Sequence, residues 1–306
     1  MDISVIILSF NTKDITVRCL EELESVCSKS APLSFQVIVV DNGSHDGSIA
    51  MLQEFKPSAF TLETIFNKEN VGFSKGNNQG LSKAKGKYVL FLNSDVMVAH
   101  TERPIDFGDV TKYMETHKDM GALTVKVELP GGGIDPASHR GFPTPWRSLT
   151  YFLKAESILK KFNVSNPTLR KMFGGYHLMH EDIDSTHRID AGTAAFLLCK
   201  CEVLSELGGF DEQFFMYGED LDLCYRMKEK GHQLTWYPKY SVTHLKYQSG
   251  LKSQDAQTKK QIRWHFYDAM EKFYQKHYEN KYCPCINILT HAIIRLMKIK
   301  SNGVGN

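Results

Sequence analysis

Phe35-Gln-Val-Ile-Val-Val-Asp-Asn-Gly-Ser-His-Asp-Gly-Ser48 is the stretch that decides the fold. Phe35 to Val40 is a mostly apolar, β-branched run of the kind that fills a strand buried on both faces. Asp41 stops it, a turn-forming cluster runs on to Ser48, and Ile49 to Phe55 reads as a helix. Strand, polar turn and helix in that order make one unit of a parallel α/β sheet.

The unit recurs on both sides. Upstream, Ile3 to Leu8 is a β-branched strand ending at Ser9-Phe10-Asn11, and Thr12 or Asp14 is placed to cap a helix whose apolar positions include Ile15, Val17, Leu20 and Leu23. Downstream, Thr61 to Phe66 is a third strand, ending at Asn67-Lys-Glu-Asn-Val-Gly-Phe-Ser-Lys-Gly-Asn-Asn-Gln-Gly80. After a short helix, Lys87 to Leu92 is a fourth, ending at Asn93-Ser94-Asp95. Every polar cluster falls at the carboxyl end of a strand, where open parallel sheets bind ligands. The first strand is not followed by Gly-x-Gly-x-x-Gly, which counts against a nicotinamide or flavin dehydrogenase, and the P-loop of nucleoside triphosphatases is missing too. What remains is a nucleotide-binding sheet with acids at its strand ends. Asp41 is placed to accept hydrogen bonds from a base imide or a ribose hydroxyl, or else serves as an Asx-turn residue. Asp95, exposed after so apolar a run, suits a hard divalent cation that also bridges two phosphates; the alternative is a turn acid.

Farther on, Gly209-Phe-Asp-Glu-Gln-Phe-Phe-Met-Tyr-Gly-Glu-Asp-Leu-Asp-Leu-Cys-Tyr-Arg226 mixes five carboxylates with aromatic residues. Carboxylates avoid such surroundings unless paired, metal-bound or used in chemistry. From Leu221 the pattern is helical, with Gly231 at the C-cap position, so Glu219 and Asp220 sit at a helix N-terminus where the dipole favours the ionised form. They read either as a general base in an aromatic cleft or as capping acids over a buried cluster.

Bulk properties narrow the classes. A chain of 306 residues holds one large α/β domain or two small ones, and a net charge of +2 does not point to nucleic acid. The seven cysteines (Cys19, Cys27, Cys199, Cys201, Cys224, Cys283, Cys285) follow no disulfide framework and read as reduced, buried thiols of an intracellular protein. Cys199-Lys-Cys201 and Cys283-Pro-Cys285 are spaced too closely for a standard zinc site. The short apolar run after Asp2 reads as a strand and not as a signal peptide, and no run is long enough to span a bilayer, so a cytoplasmic location is expected.

Five motifs in this order resemble glycosyltransferase family 2, whose members have the GT-A fold, a Rossmann-like, mostly parallel central sheet flanked by helices. They are Val5-Ile-Ile-Leu-Ser-Phe-Asn11, Val40-Asp-Asn-Gly-Ser-x-Asp-Gly-Ser48, Asn70-x-Gly-Phe-Ser-x-Gly-Asn-Asn-x-Gly80, Leu92-Asn-Ser-Asp95 and Gly209-Phe-Asp-Glu through Glu219-Asp-x-Asp-Leu-Cys-x-Arg226. The form of the third motif, Phe142-Pro-Thr144, Gly192-Thr-Ala-Ala-Phe-Leu-Leu198, Phe-Phe-x-Tyr before the acid pair, and His244 followed by Ser249-Gly250 are most similar to the rhamnosyltransferase-like branch. The resemblance covers about residues 2–250. It implies a GT-A domain over 1–250, with a nucleotide-sugar half (1–125) and an acceptor and catalytic half (126–250), and a helical extension over 251–306.

The resemblance also implies roles. Ser9, Asn11, Asp41 and Ser44 line the base and ribose of a nucleoside-diphosphate sugar. Asn70, Gly72, Phe73 and Asn77 shape the donor side, with Asn93 and Ser94 beside them. Asp95 ligates Mg²⁺ or Mn²⁺ on the diphosphate and His244 is a further metal contact, the alternative being a hydrogen-bonded structural histidine. Asp220 is the base that deprotonates the acceptor hydroxyl, and Glu219 orients it or touches the acceptor. Gly192, Thr193 and Ala194 leave room for a sugar ring. Asn93 replaces the first acid of the Asp-x-Asp metal motif common in this fold, which shifts more of the metal binding onto Asp95 and His244. The implied activity is inverting transfer to a glycan or lipid-linked acceptor in surface polysaccharide synthesis, with rhamnose a candidate sugar. Two rivals stay open: a sugar-phosphate nucleotidyltransferase, and a non-catalytic sugar-binding protein with the fold retained.

The remaining regions are less regular. Gly121 to Leu129 reads as a strand before the tight turn Pro130-Gly-Gly-Gly133. Residues 134–190, with Pro136, Pro143, Pro145 and Pro167, read as an irregular lid or acceptor segment with short helical pieces, in which His139, Arg140, Trp146 and Arg147 stand out. Trp236 to His244 is a strand, and Asp255 to Tyr278 an amphipathic helix. Past Glu279 there is no acid, and after Pro284 the residues Ile286, Leu289, Ile293 and Leu296 line one face with Lys298 and Arg295 on another. Such a basic amphipathic helix over 284–300 suits either the inner membrane face or a second subunit.

Overall fold

The computed structural model describes residues 1–246 and 256–303, with side chains described from 260 to 300 in the second segment. Ser249, Gly250, Asp255 and the expected domain boundary after 250 lie outside the described residues. Nine strands form one mixed sheet: β1 (Ile3–Ser9), β2 (Phe35–Asp41), β3 (Thr61–Phe66), β4 (Tyr88–Asn93), β5 (Val96–Met97), β6 (Met120–Glu128), β7 (His187–Ile189), β8 (Phe196–Lys200) and β9 (Gln233–His244). Their order is β3-β2-β1-β4-β8-β6-β9-β5, with β7 also on β9. The longest pairings, β3 through β4 and β6 with β9, are parallel, and β8 runs antiparallel between β4 and β6. The helices are α1 (Lys13–Lys29), α2 (Ser48–Glu54), α3 (Phe73–Leu81), α4 (Phe107–Thr116), α5 (Pro145–Phe152), α6 (Ala155–Lys161), α7 (Pro167–Phe173), α8 (Cys201–Leu207), α9 (Glu219–Glu229), α10 (Ala256–His277) and α11 (Pro284–Gly303).

The apolar strands are explained by two cores, one on each face of the sheet. Ile3, Val5 and Ile7 of β1, with Phe35, Val37 and Val39 of β2, enter one core, while Ile6, Ile38 and Val40 enter the other. Side chains alternate along a strand, so a strand covered on both sides is apolar throughout.

Residues 134–190 are more ordered than the sequence led us to expect. They hold a 3₁₀ turn (Pro136–Ser138) and the helices α5 to α7. Three of the four prolines that read as irregularity, Pro136, Pro145 and Pro167, are helix starts: Thr144 caps Pro145 by accepting from the Arg147 amide at 3.3 Å, and Asn166 caps Pro167 by accepting from the Thr168 amide at 2.9 Å. Proline is tolerated there because the first-turn amide has no helical partner. Thr12, by contrast, makes no capping bond at α1; its hydroxyl pairs with Ser9 and Thr16. The cysteines also depart from expectation, since Cys283 and Cys285 are exposed and Cys201 half-buried.

Candidate active site

A cleft of ≈ 2030 Å³ opens at the carboxyl ends of β1 and β4 and runs out between α5, α10 and α11. Asn70, Gly72, Phe73, Asn93, Ser94, Asp95, Thr193, Ala194, Glu219, Asp220 and His244 all line it, so most of the residues singled out above meet in one place. Ser9, Asp41, Ser44, Asn77 and Gly192 are buried behind that wall, and Asn11 is exposed outside the cleft lining.

The first centre is built by strand pairing. Val96 of β5 pairs with His244 of β9, and the Leu245 amide donates to the Asp95 carbonyl at 2.9 Å. This brings the His244 Nε2 to 3.2 Å from the Asp95 carboxylate. The other ring nitrogen, Nδ1, is 2.9 Å from the Asp135 carboxylate, which also takes the Lys246 ammonium at 2.8 Å. Burial works against the imidazolium, yet Asp135 and Asp95 on its two sides hold its pKa up at about 9. The same contacts, against burial, keep the Asp135 carboxyl well below the usual carboxylate range. Asp135 escaped the sequence reading: it follows a glycine turn and belongs to no recognised motif, and only the fold brings it 109 residues along the chain to His244.

The second centre is the start of α9. Gly218 holds φ +78°, a left-handed conformation that glycine adopts without strain, and turns the chain into the helix. Asp220 is buried and takes the Arg140 guanidinium at 2.7 Å on Oδ2 and the Leu221 amide at 2.7 Å on Oδ1. Arg140 is fixed in turn by its backbone bridge to Ala191 and by donating to the Gly192 carbonyl at 2.6 Å. Although burial opposes its charge, the Asp220 carboxylate keeps this guanidinium firmly protonated. Among the described residues Glu219 has no such cationic partner. Burial and then the Asp220 charge push its pKa up to about 8, and its Oε2 accepts no hydrogen bond among the described residues. Burial and the neighbouring acid thus favour the protonated form of Glu219, while Asp220 is paired with Arg140.

On the donor side the polar residues largely satisfy one another. The Asp41 Oδ1 accepts from the Ser44 amide at 2.9 Å, while its Oδ2 is buried with no hydrogen-bond partner among the described residues. Asn11 and Ser44 tie two strand-end loops together, the Asn11 amide donating to Ser44 at 2.8 Å and the Asn11 side chain accepting from the His45 amide at 2.8 Å. The Ser9 hydroxyl faces Thr12 and Thr16, and Asn77 donates to the Phe73 carbonyl at 3.0 Å. Asn42, which the sequence reading passed over, donates to the Asn70 side chain at 2.9 Å and lines the cleft. Gly72 (φ +90°) lies so close to Phe215 that a Cβ would come within 2.7 Å of its ring and carbonyl. The Asn70–Gly80 motif thus docks directly on the aromatic stretch before Glu219. Asn78 completes that join by donating to the Phe210 carbonyl at 2.8 Å and accepting from the Phe210 amide at 2.9 Å.

Asp95 would be the first ligand of a divalent cation, and His244 could join it only by giving up the Nε2 proton that now faces Asp95, with Asp135 on the far ring nitrogen as the outer partner that commonly orients a metal-binding histidine. Among the described residues no cluster of three or more His, Cys, Asp or Glu side chains is arranged to hold a metal. The donor set therefore fits a cation that takes its remaining ligands from a bound diphosphate and water, as Mg²⁺ usually does, better than one caged by protein.

Comparison with known proteins defines the class first. The fold matches that of the mannosyltransferase PcManGT from Pyrobaculum calidifontis, solved with GDP-Man and Mn²⁺, at a TM-score of 0.56 and 14% identity over 98% of this chain and 72% of that one. It matches S. aureus TarS 1–349 at 0.55 and 16% identity over 89% of this chain and 64% of that one. These are GT-A glycosyltransferases, and the α/β GT-A architecture is shared. The sequence pattern of glycosyl transferase family 2 matches residues 4–162, just over half of the chain, and the protein belongs to that family. Rhamnosyltransferase WbbL of Escherichia coli is 23% identical over 268 residues, 85% of this chain and 88% of WbbL. The uncharacterized glycosyltransferase YfnE of Bacillus subtilis is 35% identical over 125 residues, and the chain spans only 29% of YfnE's length.

Proposed function

We propose that this protein is a metal-dependent, inverting glycosyltransferase that moves a sugar, with rhamnose the first candidate, from a nucleoside-diphosphate sugar to a hydroxyl of a glycan or lipid-linked acceptor in surface polysaccharide synthesis. The observation that carries this reading is that Asp95 with His244, and Asp220 with Arg140, open on one cleft. WbbL's name supports the sugar, and the bound GDP-Man of PcManGT supports the class of donor.

In this reading the nucleotide lies over the carboxyl ends of β1 and β2, where the unpaired oxygen of Asp41 waits for a donor from the base or ribose. Asn11 and Ser44 hold the loops that shape that end, with Ser9 behind them. Asn70, Gly72, Phe73 and Asn77 form the donor-sugar side, and Asn93 and Ser94 flank the diphosphate. Asp95 and His244 would hold Mg²⁺ or Mn²⁺, which when bound neutralises the departing diphosphate. Asp220 removes the acceptor proton while the hydroxyl oxygen attacks the anomeric carbon from the face opposite the phosphate, and the carbon–oxygen bond to the diphosphate breaks. Arg140 positions Asp220. Neutral Glu219 donates a hydrogen bond to the acceptor, and Gly192, Thr193 and Ala194 leave space for its ring. The chain divides into a GT-A domain over 1–250, donor half first, and a helical extension over 251–306 that contacts the cytoplasmic face of the membrane peripherally through 284–300.

A thermal-shift panel of nucleotide sugars with and without Mn²⁺ tests the reading. The true donor raises the melting temperature by mass action, and does so with metal present. A shift identical without metal removes the metal from the proposal, and no shift with any nucleotide sugar removes the donor.

A further inference from the structure

α11 is apolar on two opposite sides. Its inner side packs on α10: Ile294 is buried, Asn287 accepts from the Tyr274 hydroxyl at 2.7 Å, and Lys298 lies over the Trp264 ring while pairing with Asp268 at 2.6 Å. Its outer side carries Ile288, Leu289, Ala292, Leu296 and Ile299, spaced three or four apart so that they form one stripe. A surface helix ordinarily shows solvent a polar face once its apolar face is packed. Here Ile288, Leu296 and Ile299 are 66–70% exposed.

A second element repeats the pattern across the cleft. Leu153 and Phe162, at the ends of α5 and α6, are 66% and 69% exposed, with Ile158 between them also exposed. The cleft runs between the two elements, for Leu149, Tyr151 and Leu153 line one bank and Ile293, Met297 and Lys300 the other, while Asp220 lines its interior. The charges select what covers them. Residues 280–303 hold Lys281, Arg295, Lys298 and Lys300 and no acid. Residues 145–173 hold Arg147, Lys154, Lys160, Lys161, Arg170 and Lys171, and their one acid, Glu156, is buried against His177. On the α11 bank, Lys281, Arg295 and Lys298 pair with Glu229, Glu271 and Asp268, so the basic excess falls mainly on the α5–α7 bank, with Lys300 at the edge of the other. Apolar side chains ringed by cations fit an anionic lipid surface, where the apolar groups enter the acyl boundary and the cations meet the headgroups.

We propose that α11 and the α5–α7 helices together form a two-sided docking surface for an anionic phospholipid membrane, with the mouth of the cleft set between them. The inference rests on the proposed transfer to a lipid-linked acceptor and extends the membrane contact from one helix to both banks. An acceptor carried on a lipid then reaches Asp220 without leaving the interface.

The full chain is sedimented with vesicles of phosphatidylcholine alone and of phosphatidylcholine mixed with phosphatidylglycerol. It binds the anionic vesicles and is released by salt. Leu289→Glu with Leu296→Glu on α11, and Ile158→Glu with Phe162→Glu on the other bank, each lower binding about tenfold, because a charge is set into the acyl boundary. The donor's thermal shift stays as in the wild type. If the Ile158 and Phe162 pair melts early, charge reversal by Lys160→Glu with Lys161→Glu reads the same bank without touching the apolar groups, and if the α11 pair does, Lys300→Glu reads that bank. Absence of binding to anionic vesicles, loss confined to the α11 pair, or a concentration-dependent dimer dissolved by that pair each overturns the proposal. The donor thermal shift separates the two readings: intact, it leaves the transferase standing while the docking surface falls.

Discussion

The two sides of the cleft solve the same problem in opposite ways. On the donor side, Asp41, Asn42, Ser44 and Asn70 bond to amides and to each other over spans of 2 to 28 residues, and one Asp41 oxygen is left without a partner among the described residues. On the acceptor side, Asp220 and Arg140 come from positions 80 residues apart and form a charged pair inside an apolar wall. In the proposed reaction the first arrangement would cradle the nucleotide. The buried ion pair holds the proposed base in place and makes it depend on one cation. Substitutions on the acceptor side should therefore be the more severe, for chemistry first and stability second.

The largest effect is expected at Asp220. Asp220→Asn keeps the shape and the bond from the Leu221 amide but cannot take a proton, and kcat falls by about 10³-fold while the donor still raises the melting temperature. Steady-state kinetics beside thermal shift measures both; transfer at the wild-type rate would remove Asp220 from the chemistry and leave it a capping acid.

Arg140→Met comes next. It leaves Asp220 buried without its cation, and removing one partner of such a pair costs about 3 kcal/mol. Chemical denaturation reads the loss, and the double variant Arg140→Met with Asp220→Asn recovers most of it because no charge is stranded. A single variant as stable as wild type would mean that water reaches Asp220 freely, and the contrast between the two sides would dissolve.

How far the sequence could be read follows the same division. β1, β2 and β4 were legible because a strand covered on both faces is apolar along its length, and Asp95 stood out as an acid just past the end of one, whereas β3 is a half-exposed edge strand. Asp220 was legible from the acids among aromatics and from Gly218 before them. Asp135 and the partnership of Arg140 were not, since nothing local marks them: Asp135 reaches His244 through β9, and Arg140 reaches Asp220 through a single bridge to Ala191. Asn78 was read as part of a donor-binding motif, yet both ends of its amide hold the backbone of Phe210. That makes it the joint between the two sides. Asn78→Ala strands a buried amide and a carbonyl for a loss of about 2 kcal/mol, seen as a lower denaturation midpoint with the metal-dependent donor shift retained.

The last effect is the most specific, because it follows a single proton. In the fold Glu219 holds its proton up to about 8, whereas its ordinary value is 4.5. Below the ordinary value both states are protonated and burial of this side chain carries no electrostatic cost. As pH rises from there towards 8 the unfolded chain gives up the proton and the folded one keeps it, so stability falls over that window and levels off beyond it. Glu219→Gln has no proton to lose. Its melting temperature should match wild type near pH ~4.5 and exceed it by roughly 2 °C or more near pH ~8, against a background in which groups away from the Glu219–Asp220 pair titrate equally in both proteins. A difference that stays flat with pH would mean that Glu219 is ionised in the fold, and the assignment of a neutral donor beside a charged base would have to be given up.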